Sequence, residues 1–227
     1  MTSSAAWDPA RTGKRVVFWR HGRTEWNRAG RFQGQQDIAL DPSGAHQAVE
    51  AAAVLRHLHP DVVISSDLGR ALATAQALGE AAGKPVGTDR RLRETYAGAW
   101  EGMLFADIAA QFPEEQAGWA AGSGDVRAGG GESRVDVGRR VAEAVTDAAD
   151  ALAPGGTLVV VSHGGAIRAG ICALLGLPTD SWTVISGVSN CHWSVLEERD
   201  TSGGGVRWNL AQHNVGLDSV PSGPLEG

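Results

Sequence analysis

Leu158-Val159-Val160-Val161-Ser162-His163-Gly164-Gly165 is the stretch that decides the fold. An unbroken apolar run, rich in β-branched residues, stops abruptly in a polar, glycine-containing burst. Val16-Val17-Phe18-Trp19 before Arg20-His21-Gly22 follows the same plan, as does Val62-Val63-Ile64 before Ser65-Ser66-Asp67. Each run is too short for a helix. Continuous rather than alternating apolarity marks a strand buried on both faces.

Helical patterns follow each run. Asp41 can cap and Pro42 suits a first turn, with Ala48, Val49, Ala52, Leu55 and Leu58 forming a stripe. Further helices are predicted over Arg70 to Ala82, over Ser133 to Leu152, and from Gly164-Gly165 to near Gly176-Leu177-Pro178. Late strands are predicted over Cys191–Glu197 and Val206–His213, with the Ser-Gly-Gly-Gly turn inside 199–205 as a hairpin loop. Strands alternating with helices imply an α/β fold, a three-layer α/β/α sandwich around a mostly parallel central sheet. Ligands of such sheets bind beyond the carboxyl ends of the strands. His21, the Arg70 loop and His163 should therefore converge.

The chain has 227 residues, 42% hydrophobic and 20% charged, with a net charge of −6. That is enough for one sizeable core and gives no reason to expect nucleic acid or a membrane surface as a partner. No window approaches a membrane span, and the N-terminal MTSSAAWDPARTG has no apolar run of the signal-peptide kind. The two cysteines, Cys172 and Cys191, lie far apart and form no CxxC pattern, which suits a reducing, cytoplasmic setting. Residues 15–214 are expected to form one domain between flexible termini, 1–14 and 215–227. A homodimer stays open.

Four motifs carry the chemistry: Arg20-His21-Gly22-Arg23-Thr24-Glu25-Trp26-Asn27; Ser65-Ser66-Asp67-Leu68-Gly69-Arg70; Leu92-Arg93-Glu94-Thr95-Tyr96-Ala97-Gly98-Ala99-Trp100-Glu101-Gly102; and Ser162-His163-Gly164-Gly165. Taken singly, each also fits an uneventful turn. The second, for example, reads equally as a helix capped by Ser66 or Asp67 with Arg70 on the surface. His57-x-His59 reads as a solvated helix end, because no third ligand stands at a recognised spacing. His46 reads as a surface residue, and His192 and His213 as structural.

Together and in this order, the four motifs resemble the histidine phosphatase superfamily, in the branch that includes cofactor-dependent phosphoglycerate mutases. The resemblance spans about residues 15–197. Arg31-Phe32-Gln33-Gly34, Asp37 to Leu40 and Gly130-Gly131-Glu132-Ser133 extend it. The segment from Gly130 to Val137 is also similar to actinobacterial phosphatases that act on glucosyl-3-phosphoglycerate. The resemblance implies a phosphomonoesterase that works through a phosphohistidine on His21, with Glu94 as proton donor and His163 as a further catalytic residue. Glu101 competes with Glu94 for the acid role. A phosphoglycerate mutase and a non-catalytic phosphate-binding module are the rival readings. The implied ligand is a small phosphomonoester, without cofactor or metal.

The chemistry is consistent with these residues. A phosphate dianion needs fixed donors, and Arg20 and Arg70 offer planar forks that match its oxygens. Asn27 and Gln33 add neutral donors beside Gly34. His163, when protonated, would be a third cation, and the helix starting at Gly164 would aim free N–H groups at the same place. Neighbouring arginines favour the neutral, nucleophilic form of His21. A carboxyl beside a bound dianion tends to hold its proton, as a general acid must. Trp26 and Trp100 are expected at the pocket. The stretch from Thr95 to Ala128, with the lone base Arg127 among five acids, is expected to form an acidic wall that disfavours a second anionic group.

Overall fold

A computed structural model describes residues 13–199 and 207–217. Most of the expected termini and of the 199–205 turn lie outside the described residues. The first apolar run forms β1 (Arg15–Arg20), the second β2 (Val62–Ser65) and the third β4 (Thr157–Ser162). The hairpin strands are β5 (Trp193–Glu198) and β6 (Trp208–Val215). Between them in sequence lie α1 (Glu25–Ala29), α2 (Pro42–Leu55), α3 (Gly69–Ala82), β3 (Val86–Thr88), α4 (Phe105–Gln111), α5 (Pro113–Ala120), α6 (Arg134–Asp150) and α7 (Gly164–Leu174).

The sheet order is β3-β2-β4-β1-β5-β6. β3, β2, β4 and β1 pair in parallel, whereas β5 runs antiparallel to both β1 and β6. Both faces are covered, as the apolar runs require. Val16, Phe18, Leu158 and Val160 pack with residues of α6 and α7. Val17, Trp19, Val159 and Val161 pack on the other face with residues of α2 and α3. The alternation within each run therefore divides one strand between two cores.

Side-chain caps fix the starts of α2 and α6, the first of them as the sequence suggests. Asp41 accepts from Gly44 N–H with Pro42 in the first turn of α2, and Ser133 forms a capping box with Asp136 at α6. α3 covers the predicted span but starts without the side-chain cap that the plainer reading of its motif offered. Neither Ser66 nor Asp67 caps it; Leu68 takes the cap position, and Gly69 N–H donates to Asp37 from another segment. The short elements β3, α4 and α5 have no counterpart among the sequence expectations. α4 and α5 sit over a small separate cluster of Ala97, Trp100, Ile108 and Ala128, with Phe32, Phe112 and Trp119 against it.

Candidate active site

Strand register brings the two histidines together. Arg20 pairs with Ser162 across the β1–β4 ladder, so the residues that follow them, His21 and His163, are neighbours. Their ring centroids are 5.1 Å apart. Ser65 pairs with Val161 on the next strand, which brings Ser66 Oγ to 2.9 Å from His163 Nε2. Three strand ends thus converge, as the polar bursts predict.

His21 is buried, and its Nδ1 lies 2.7 Å from its neighbour Gly22 O. A carbonyl can only accept, so Nδ1 carries the proton and Nε2 keeps its lone pair. Burial, with Arg70 and Arg20 beside it, holds the imidazole well below its usual range and in its neutral form.

Arg70 is wholly buried. It donates Nη1–H to Gln36 O at 2.7 Å, Nη2–H to Gly34 O at 2.8 Å and Nε–H to His163 Nδ1 at 3.2 Å. Burial lowers its pKa to about 10. Gly34 turns its carbonyl toward Arg70 with φ at +54°, where a Cβ would also collide with the Glu101 carboxylate. Arg20 donates Nη1–H to Val188 O at 2.6 Å, while its buried Nε has no partner among the described residues.

Asn27 and Gln33 are oriented by the buried Thr24. Thr24 N–H donates to Asn27 Oδ1 and Thr24 Oγ1 donates to Gln33 Oε1, both at 3.1 Å. With the amide oxygens so occupied, the two NH₂ groups are left for a ligand. Asn190, which sequence reasoning missed, donates to His21 O at 3.0 Å and to Asn27 Oδ1 at 3.2 Å.

Glu94 spans the start of α7. Its Oε2 accepts from Gly165 N–H and its Oε1 from Ala166 N–H, both at 3.0 Å, with Thr95 N–H on Oε1 at 2.8 Å. The expectation of several free N–H groups at this helix start is therefore corrected: Glu94 occupies two of them. Glu94 itself is held in place by Arg140, whose Nη2 donates to Glu94 O at 2.9 Å while its guanidinium pairs with Glu132 at 2.8 Å. Glu101 is engaged elsewhere. It accepts from Gln35 N–H, Ala97 N–H and the Gln36 side-chain amide, at 2.9, 3.1 and 3.0 Å.

These groups border one cavity of about 480 Å³. Arg20, His21, Asn27, Gln33, Gly34, Arg70, Glu94 and Gly164 all line it, and Glu101 does not. His163 is fully buried behind this surface and does not line it. Burial, then Arg70, His21, Arg20 and Arg140, hold its ring well below the usual range, so it is neutral and adds no third cation. The Arg70 donor at Nδ1 places its proton on Nε2, toward Ser66.

Two further expectations are corrected. The tryptophans at the cavity are Trp119 and Trp182; Trp100 is buried in the core beneath α4 and α5, and the Trp26 ring lies beside Gly102. The anticipated acidic wall is not there either. None of Glu101, Asp107, Glu114, Glu115 and Asp125 borders the cavity, whereas Arg31, Arg134 and Arg168 do. Among the described residues no group of three or more His, Cys, Asp or Glu is placed to hold a metal, and no helix is long and apolar enough to cross a membrane.

The chain is similar to several known proteins. The chain is 44% identical to a glucosyl-3-phosphoglycerate phosphatase of Mycolicibacterium vanbaalenii over 216 residues, 89% of this chain and 95% of the relative. It is 40% identical to a Serratia proteamaculans protein named probable phosphoglycerate mutase GpmB over 163 residues, 72% of this chain and 75% of that one. A mycobacterial glucosyl-3-phosphoglycerate phosphatase solved with VO3 superposes with a TM-score of 0.82 at 40% identity, covering 88% of this chain and 98% of that one. Residues 16–211 match the histidine phosphatase superfamily, branch 1, and the chain belongs to that family.

Proposed function

We propose that this protein is a phosphatase that hydrolyses glucosyl-3-phosphoglycerate, or a close phosphoglycerate derivative, through a phosphohistidine on His21. The observation that carries the chemistry is the His21 ring: Nδ1–H is committed to Gly22 O, so Nε2 is a free nucleophile at a cavity bordered by Arg20 and Arg70. The substrate assignment is supported by the mycobacterial relatives and by a cavity of about 480 Å³, a size that suits a small sugar phosphate.

The reaction proceeds in two displacements. His21 Nε2 attacks phosphorus while the bond to the ester oxygen breaks, and Glu94 delivers its proton to that oxygen. Arg20, Arg70 and the side-chain amides of Asn27 and Gln33 hold the phosphoryl oxygens as charge spreads over them. Water then attacks the phosphohistidine, Glu94 takes its proton, the N–P bond breaks, and inorganic phosphate leaves. His163 acts from behind, holding the Arg70 fork. Both Cys172 and Cys191 are buried free thiols, which fits an enzyme kept in a reducing compartment such as the cytoplasm.

The test is rapid quench with labelled glucosyl-3-phosphoglycerate, alongside phosphate release across a panel of phosphomonoesters. The wild type should yield an acid-labile, base-stable phosphoprotein, and His21→Ala should yield none and release no phosphate. Turnover near wild type in His21→Ala would end the mechanism; failure on the glucosylated substrate alone would end only the substrate assignment.

A further inference from the structure

The outer half of the cavity contains two arginines that the phosphoryl chemistry does not use. Arg134 opens α6, and Arg168 lies one turn into α7, four residues after Gly164. Four residues advance a helix by about 6 Å, so Arg168 stands on the same face as Gly164 one turn along, and both border the cavity. α6 and α7 pack so closely at Gly138 that a Cβ there would come within 2.9 Å of Ala169 O. That approach brings the two guanidinium groups to one rim.

Their partners are unusual for this segment. Arg127 and Arg139 pair with Asp136, and Arg140 pairs with Glu132. Arg134 instead donates Nη1–H to Trp119 O at 2.6 Å and lies 3.8 Å above the Trp119 ring. Arg168 donates Nε–H and Nη2–H to Trp182 O at 3.3 and 3.1 Å. Neither has a carboxylate partner among the described residues. Both are tethered by neutral carbonyls, and Arg134 also lies over the Trp119 ring, which fixes position without cancelling charge.

This placement is costly in the free protein. Arg134 occupies the first position of a helix, where the macrodipole disfavours a cation. Burial, then Arg168, lowers its pKa to about 10. A local arrangement that breaks an electrostatic rule without a compensating carboxylate is what an anion site looks like before its ligand arrives.

We infer that Arg134 and Arg168, held by Trp119 and Trp182, form a second anion subsite that takes a carboxylate of the substrate while its phosphate lies at His21. The subsite selects phosphomonoesters of hydroxy acids over neutral sugar or polyol phosphates. Arg31, at the same cavity, is held by Gly102 O and is not needed for this geometry. The inference rests on the proposed reading of the cavity as a phosphatase site, and it names the group that specificity depends on.

The experiment compares 3-phosphoglycerate with glycerol 3-phosphate, which have the same three-carbon skeleton and differ by carboxylate against hydroxymethyl. In the wild type, kcat/KM should favour 3-phosphoglycerate by about tenfold or more, as a charge-assisted fork does. Arg134→Gln and Arg168→Gln should each lower that ratio by about 10-fold, with the loss falling on KM rather than kcat. Arg168→Lys, which keeps the charge, should retain part of it. No preference in the wild type, or equal loss on both substrates in the variants, would overturn the subsite. Phosphohistidine trapping with p-nitrophenyl phosphate separates the two readings. Trapping that persists without carboxylate selectivity sinks the subsite alone, and absence of trapping in the wild type sinks the phosphatase reading itself.

Discussion

Arg70 and His163 are 93 residues apart in sequence, yet Arg70 Nε donates to His163 Nδ1 over 3.2 Å in a fully buried contact. The same guanidinium is pinned by Gly34 O and Gln36 O, so its plane is fixed on three sides. Its two remaining N–H groups are what the cavity receives. Fixing the plane before substrate arrives removes reorganisation from the reaction step, which is the source of electrostatic catalysis.

Arg70→Ala should therefore lower kcat/KM for p-nitrophenyl phosphate by about 10²-fold or more, and His163→Ala should cost a comparable factor by freeing the fork. Arg70→Lys should not rescue, because an ammonium cannot reproduce the three-way anchoring. Steady-state kinetics on variants with wild-type circular dichroism decide this. Arg70→Lys within about twofold of wild type would show that charge alone suffices.

His21 and His163 give the protein a definite pH signature. Both are held neutral in the fold, well below the ordinary imidazole range, by burial first and the nearby cations second. In the unfolded chain each titrates near the ordinary imidazole value of about 6.5. As pH falls through about 6.5 the unfolded chain therefore binds more protons than the native one. Their contribution is fully present above about pH 6.5 and is lost as pH falls from there toward the native values. Urea midpoints at pH 7.5 and 5.5 should show this decline, and His163→Gln should reduce it. Identical declines in the two proteins would refute the assignment. The acid limb of kcat/KM should likewise lie well below pH 6.5.

Glu94→Gln should affect alkyl phosphates far more than p-nitrophenyl phosphate, since nitrophenolate leaves without a proton and an alkoxide does not. Glu101→Gln should show no such leaving-group dependence, because Glu101 serves the backbone of Gln35 and Ala97 away from the cavity. Stopped assays on both substrates settle the acid, and equal loss on the two in Glu94→Gln would remove it from that role.

Turnover should survive EDTA. The phosphoryl end is bordered by Arg20 and Arg70, whose fixed positive charge would repel a divalent ion where the phosphate has to sit. Complete loss on chelation with recovery on adding Mg²⁺, Mn²⁺ or Zn²⁺ would contradict this.

The nucleophile end was legible in the sequence because strand ends are. Three buried runs broke into polar bursts, and parallel pairing brought Arg20 opposite Ser162, which fixed His21 beside His163. The outer cavity was not legible. Arg134 reads as one more charge on a polar helix, and only its place just after the Ser133 cap marks it as misplaced. Trp119 and Trp182 come from segments with no periodicity to read, and Asn190 from a loop defined only by what it bonds. The acids between Thr95 and Ala128 pointed to a repulsive wall because composition counts charges without saying which way they face.

The protein should hydrolyse rather than isomerise phosphoglycerates, and the reason differs from the one that charge counting suggests. Cations near the outer cavity do not forbid a second anionic group, since Arg134 and Arg168 stand there. What a mutase requires in addition is that phosphohistidine outlast the exchange of its partner, with water held off throughout. Here the covering segment is weakly anchored. α4 fully buries Ile108 alone, α5 fully buries no residue and packs inward mainly through the half-buried Trp119, and Phe105 at the cavity remains 57% exposed. Elements with so few buried apolar contacts open at low free energy, which admits water to the phosphorylated histidine. Incubation with 3-phosphoglycerate and catalytic 2,3-bisphosphoglycerate should thus release inorganic phosphate faster than it forms 2-phosphoglycerate. Following both products in one reaction is decisive, because rapid interconversion with little phosphate released would mean that the cover stays shut and the chain is a mutase.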